Sequence, residues 1–145
     1  MLEVPTVRVD GDLPLPVYAR SGDAGADLFA AEGAVVRAGG GRALVRTGVR
    51  IALPDGYAGF VQPRSGLALR HGITLANSPG LIDSGYRDEL AVVVINTDPE
   101  EDYEVRRGDR IAQLVVQKVE RAAFVEVAEL EPSERGTGGF GHSGR

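Results

Sequence analysis

Glycine and proline punctuate this chain throughout, and no stretch between them keeps a helical apolar pattern for long. Twenty glycines and eight prolines cut the 145 residues into short segments, and none carries a helical apolar stripe for more than about two turns. What remains is short alternating runs separated by turn residues at spacings of roughly 8 to 12 residues, the pattern of an all-β sandwich or jelly roll. The length suits one domain with a real core.

The segments read in order as follows. Thr6 to Val9 is a short strand, and the prolines extend Leu13 to Pro16. Ala24 to Ala30 follows a Ser-Gly-Asp turn and sets Asp27 at the head of a strand; Ala34 to Arg37 is another. Leu44 to Leu53 is the clearest strand, with Val45, Thr47, Val49, Ile51 and Leu53 on one face and Arg46 and Arg50 on the other. Asp55-Gly56 should turn it into Tyr57 to Gln62 as a hairpin. Ser65 is expected to cap one short helix ending near His71 and Gly72. Ile73 to Ala76 leads into the stretch Asn77 to Tyr86, read as an arm and tip of a hairpin that enters the wholly apolar run Leu90 to Ile95. That run should be covered on both faces. Pro99 to Glu104 reads as a solvated acidic loop, Ile111 to Val119 and Phe124 to Val127 as the last strands. Beyond Pro132 the chain is glycine-rich and aperiodic, so residues 1–132 are expected to form a core and 133–145 a flexible tail.

Composition excludes several classes. An apolar fraction of 43% argues against disorder, and the absence of cysteine rules out disulfides and thiolate metal sites. With a net charge of -5 there is no basic face for nucleic acid. No segment approaches the ~20 apolar residues of a membrane helix, and the N-terminus lacks a signal pattern, so a cytoplasmic protein is expected. A strand covered on both faces, in a small two-layer domain with a loose tail, predicts a homo-oligomer.

Five places carry polar groups the fold does not require. Asp27 stands among glycines, although a strand-start carboxylate needs no function. Arg64-Ser65-Gly66 precedes a helical turn and suits an anion, against the plainer reading of a helix start with an exposed arginine. The Asn77 to Tyr86 tip presents Asp83 and Tyr86, suited to holding a planar ligand and activating a water, or else Asp83 and Gly85 are ordinary turn residues. Gln113 is an amide on a usable strand face or an edge residue. The tail matches G-x-G-x-x-G from Gly136 to Gly141, but no strand precedes it and no helix follows, so the dinucleotide reading fails; what survives is a strap with Arg135 for phosphate and Phe140 for stacking, or an inert tail.

In this order the segments Ala24 to Leu28, Pro63 to Ala68, Asn77 to Tyr86, Arg107 to Gln113 and Arg135 to Gly144 resemble the five motifs of the trimeric dUTPase family, the deoxyuridine 5′-triphosphate nucleotidohydrolases. The resemblance implies a jelly-roll homotrimer whose three active sites each draw on all three subunits. It further implies hydrolysis of dUTP to dUMP and diphosphate with Mg2+, keeping uracil out of DNA and supplying dUMP for thymidylate synthesis. Asp83 would orient and deprotonate the water that attacks the α-phosphorus. Asn77, Gly80, Leu81, Ile82 and the Asp83 backbone would read uracil in a slot too tight for thymine's methyl, and Tyr86 would pack under the deoxyribose. Arg64, Ser65, Gly66 and Gln113 would bind phosphates, while Asp27 would touch the metal through water. Arg135 and Ser143 would hold the γ-phosphate, with Phe140 and Gly141 closing over the base; the tail would thus close over an active site.

Two positions depart from the family pattern. His142 stands where a serine is usual, and Ala91 where a larger residue is common. The nearest rival is a dCTP deaminase of the same fold, which would need a proton-shuttling carboxylate, with Glu89 the candidate. A non-catalytic nucleotide-sensing trimer is the third reading.

Overall fold

The computed structural model describes residues 1–141 and Gly144. The chain is an all-β jelly roll, with eleven strands and one helix among the described residues: β1 (Thr6–Arg8), β2 (Ala26–Phe29), β3 (Ala34–Val36), β4 (Arg42–Arg46), β5 (Val49–Ile51), β6 (Tyr57–Gln62), α1 (Ser65–His71), β7 (Ile73–Leu75), β8 (Gly80–Ile82), β9 (Ala91–Asn96), β10 (Tyr103–Val105) and β11 (Arg110–Lys118). One sheet runs β2-β11-β6-β8 and a second β4-β9-β7, with two-stranded pairs β1-β5 and β10-β3. Leu28, Val36, Val45, Val49, Leu90, Val92, Val94 and Val105 are fully buried between the layers. Each such side chain contributes about 1.5–3 kcal/mol by leaving water.

The strong alternation from Val45 to Leu53 holds, for Val45, Thr47, Val49, Ile51 and Leu53 are all buried and Arg46 and Arg50 exposed. It does not form one strand. Gly48 adopts φ +74° and breaks it into β4, which pairs with β9, and β5, which pairs with β1. An alternating pattern fixes which side chains face inward but not which neighbour the backbone pairs with. For the same reason Asp55-Gly56 makes a turn, with the Tyr57 amide donating to Pro54 O at 3.1 Å, yet no hairpin, because β6 pairs with β11 and β8.

The Asn77 to Tyr86 stretch also differs from a simple hairpin. β7 and β9 pair directly, while β8 leaves them and pairs with β6 in the other sheet. Within this chain the β9 run is covered on one face: Leu90, Val92 and Val94 are buried, but Ala91, Val93 and Ile95 are half-exposed. α1 begins one residue earlier than a Ser65 cap requires. Arg64 is its N-cap, without a side-chain cap bond, and Gly72 closes it at φ +65°. The acidic loop is more ordered than expected and runs into β10. Asp98 Oδ1 accepts the Glu100 and Glu101 amides at 2.9 and 2.8 Å, which hold its carboxyl below the usual range. The fully buried Asn96 donates to Val36 O and Glu101 O and accepts from the Asp98 amide, which satisfies it. Finally, Phe124 to Val127 pairs with nothing among the described residues, and Phe124, Val125 and Leu130 are largely exposed.

Candidate active site

Two groups of polar residues form at different ends of one sheet. The first surrounds a cavity of about 410 Å³ lined by Asp27 of β2, Arg64, Ser65 and Gly66 at the start of α1, and Arg110 and Gln113 of β11. Asp27, 8% exposed, faces Arg64 Nε and Arg110 Nη1, each at 3.4 Å. Arg64 also donates from Nη1 to Arg110 O at 3.1 Å. One carboxylate thereby fixes two guanidinium groups at the cavity wall. The first-turn amides of α1 have no partners within the helix. Gln113 donates from Nε2 to Pro63 O at 3.1 Å, which fixes its carboxamide. Four of the residues singled out by their motifs, Arg64, Ser65, Gly66 and Gln113, therefore converge with Asp27.

Arg110 escapes a reading of the sequence because strand alternation sets it on the face opposite Gln113. A register shift between Arg110 and Ala112 brings the two to one side. The signal for it is the Gly-Asp turn immediately before the strand, where such a bulge forms.

Asp27 and Asp23 against Arg64 and Arg110 leave the cavity lining formally neutral. Among the described residues no three His, Asp or Glu side chains converge to cage a metal, and both Asp27 oxygens face arginine. This donor set fits a divalent ion held chiefly by a ligand's own phosphate oxygens, with Asp27 reaching it through water, and not one caged by protein.

The second group lies on β8 and the turn after it. β8 is an edge strand, so half of its N–H and C=O groups point away from β6 and are free to bind a ligand. Beside it lies a narrow slot of about 50 Å³ lined by Asn77, Gly80, Leu81, Ile82, Ala91 and Val93 among others. A Cβ on Gly80 would stand 3.4 Å from both Asn77 Nδ2 and Val61 Cβ, inside this space. Beyond the slot, the Tyr86 amide donates to Asp83 O at 3.1 Å and the Tyr86 hydroxyl to Glu89 O at 3.0 Å. Arg87 Nη1 donates to Ser84 O at 2.5 Å and Tyr86 O at 2.9 Å, bracing the turn that carries Asp83. The Glu89 carboxylate accepts the Gly48 amide at 2.9 Å and faces Arg46 at 3.7 Å. It is thus engaged in holding the fold rather than aimed at a base, which counts against the deaminase reading.

The two groups do not meet within one chain. Ile82 pairs with Gly59, and Arg64 lies five residues further along. At about 3.4 Å per residue, Asp83 and the Arg64 cradle stand roughly 15–20 Å apart. The described tail residues join neither group: Arg135 Nε donates to Gly138 O at 2.7 Å, Phe140 is fully exposed, and their hydrogen bonds stay within the tail. His142 and Ser143 lie outside the described residues.

Comparison with known proteins gives one answer. The family model described as dUTPase matches residues 12–144. A deoxyuridine 5′-triphosphate nucleotidohydrolase of Thermobifida fusca is 65% identical over 137 residues, covering 94% of this chain and 76% of that protein. One from Streptomyces avermitilis is 58% identical over 137 residues, covering 94% and 78%. The solved dUTPase of Staphylococcus bacteriophage 80alpha with dUPNHPP superposes with a TM-score of 0.90 at 28% identity, covering 100% of both chains.

Proposed function

The chain belongs to the dUTPase family, and from that premise we propose that it hydrolyses dUTP to dUMP and diphosphate in sites shared between copies of a homotrimer. The observation that carries this reading is the free edge of β8, with its narrow slot on one side and Asp83 directly beyond. Uracil fits the chemistry of such an edge, because its planar face and alternating C=O, N–H and C=O match backbone groups one for one. Asn77 and the Gly80 to Asp83 backbone would read it, and the narrowness would exclude a methyl at the position where thymine carries one. Tyr86, pinned through its hydroxyl to Glu89, would pack its ring under the sugar and leave no room for a 2′-hydroxyl.

Asp83, the next residue after β8, would hold a water in line with the α-phosphorus and take its proton as the bond to the leaving diphosphate breaks. Arg64, Ser65, Gly66, Gln113 and Arg110 would hold the phosphates. Because the cavity lining is formally neutral, these groups alone cannot offset a triphosphate. The balance would come from Arg135 and Ser143 of the tail, closing with Phe140 and Gly141 over the base, and from a magnesium ion that Asp27 contacts through water. When bound, that ion supplies charge neutralisation and a fixed phosphate geometry.

Sharing between copies follows from distance. A water held at Asp83 cannot reach phosphates seated roughly 15–20 Å away in the same chain's cradle, so a second copy would bring its cradle to the first copy's slot. The half-exposed Ala91, Val93 and Ile95 face of β9 and the bare Phe124 to Leu130 arm are apolar surfaces that such an assembly would cover.

A substrate panel of dUTP, dTTP, dCTP and UTP tests the proposal. Diphosphate should appear from dUTP alone, and equal turnover of dTTP, or ammonia released from dCTP, would overturn it. Asp83→Asn should bind dUTP normally and lose about 10²- to 10⁴-fold in kcat. Near-normal turnover in that variant would remove Asp83 from its role.

A further inference from the structure

We infer that Gly25 is a positioning residue for Gln113, and that its missing side chain is what lets the glutamine carboxamide serve the phosphate cradle. The inference rests on the dUTPase reading above. Gly25 stands just before β2, and a Cβ built on it would collide with Gln113 Oε1 and stand only 2.9 Å from its Cδ and 3.1 Å from its Cβ. The carboxamide therefore occupies the space a methyl group would need, whichever way its oxygen and nitrogen are assigned.

The glycine is not there for its backbone. Gly25 is absent from the chain's positive-φ glycines, so an alanine could take its conformation, and the contact with Gln113 is what opposes the substitution. The other end of the same carboxamide is committed to Pro63 O at 3.1 Å, next to Arg64. Gln113 is thus held between a carbonyl on one side and a bare Cα on the other. A methyl at position 25 would break the Pro63 bond and swing the carboxamide into the cavity that both residues line. The parts that must move most are the far end of a flexible side chain, so the fold survives while the cradle is deformed.

The experiment is a double-substitution cycle read by calorimetric titration with dUPNHPP and Mg2+, with steady-state kinetics alongside. Gly25→Ala should weaken binding and raise KM about tenfold to a hundredfold, the loss of one hydrogen bond to a charged group, while kcat stays within about threefold. In the Gln113→Ala background, where no carboxamide remains to displace, adding Gly25→Ala should change binding by less than about twofold. The inference is overturned if Gly25→Ala binds as the unmodified chain does. It is equally overturned if the methyl adds its full loss to Gln113→Ala, or misfolds the doubly substituted chain, since either would mean that Gly25 serves the backbone. If the unmodified chain itself fails to bind dUPNHPP, the dUTPase reading falls and takes the inference with it.

Discussion

Gly80 illustrates how a single side chain decides what the slot admits. It is buried, and the nearest atoms to a Cβ placed there are at ordinary contact distance, so Gly80→Ala should fold with little loss. The added methyl would nevertheless occupy a space of only about 50 Å³. KM for dUTP should rise about tenfold or more with a smaller change in kcat, because binding of the base is lost before chemistry begins; unchanged KM would mean the base lies elsewhere. At this scale much of the geometry was legible. The types and order of Arg64, Ser65, Gly66, Asn77, Asp83, Tyr86 and Gln113 single them out, because polar groups at turns and strand ends are not required by packing. Arg110 was not legible, since a bulge inverts the side it faces. Nor was the ion pairing of Asp27, which spans residues far apart in sequence.

Among the elements, β2 and β11 are held in place partly from outside the sheets. Arg107, in the turn before β11, donates from Nη2 to both oxygens of Asp10 at 2.7 Å, tying the N-terminal turn to that of β10 and β11. The guanidinium, first by its hydrogen bond, holds the Asp10 carboxyl below its ordinary 3.8. A depressed folded-state value means the pair stabilises the fold fully above the unfolded value and ceases to do so as pH falls through the folded one. Asp10→Asn should therefore lower thermal stability at neutral pH, and the difference from the unmodified chain should shrink as pH drops below 3.8. A gap that stays constant to the lowest pH measured would show that the ion pair is not its source. The elements themselves were largely readable from alternation, and the failures share one cause. Side-chain periodicity assigns faces, whereas sheet partners depend on long-range pairing, so β5 and β6 read as a hairpin and instead entered different sheets. β10 is only three residues long, Tyr103–Val105, and its start was hidden within the acidic run Pro99 to Glu104.

For the whole molecule, the separation of cradle and slot makes a prediction no single-chain site would share. Arg64→Ala and Asp83→Asn should each be nearly inactive, yet unfolding and refolding them together should restore activity. If each site takes its aspartate from one copy and its arginine from another, random assembly leaves about a quarter of sites with both. A mixture as inactive as its components would return the whole site to one chain. The apolar β9 run and the loose end lead a reading of the sequence to expect an oligomer, but not to say which surfaces would meet. That information lies in the shape of the folded chain rather than in any periodicity.

The bare stretch around Phe124 to Leu130 has a consequence for the life of a newly made copy. In a homotrimer assembled as proposed, a newly made copy would trail this irregular apolar stretch, its aromatic and aliphatic groups in water, open to proteases and to mispairing with sheet edges until it met its siblings. Lifetime in the cell should then follow expression level, since copies made in abundance find each other sooner and those made sparsely are cleared first.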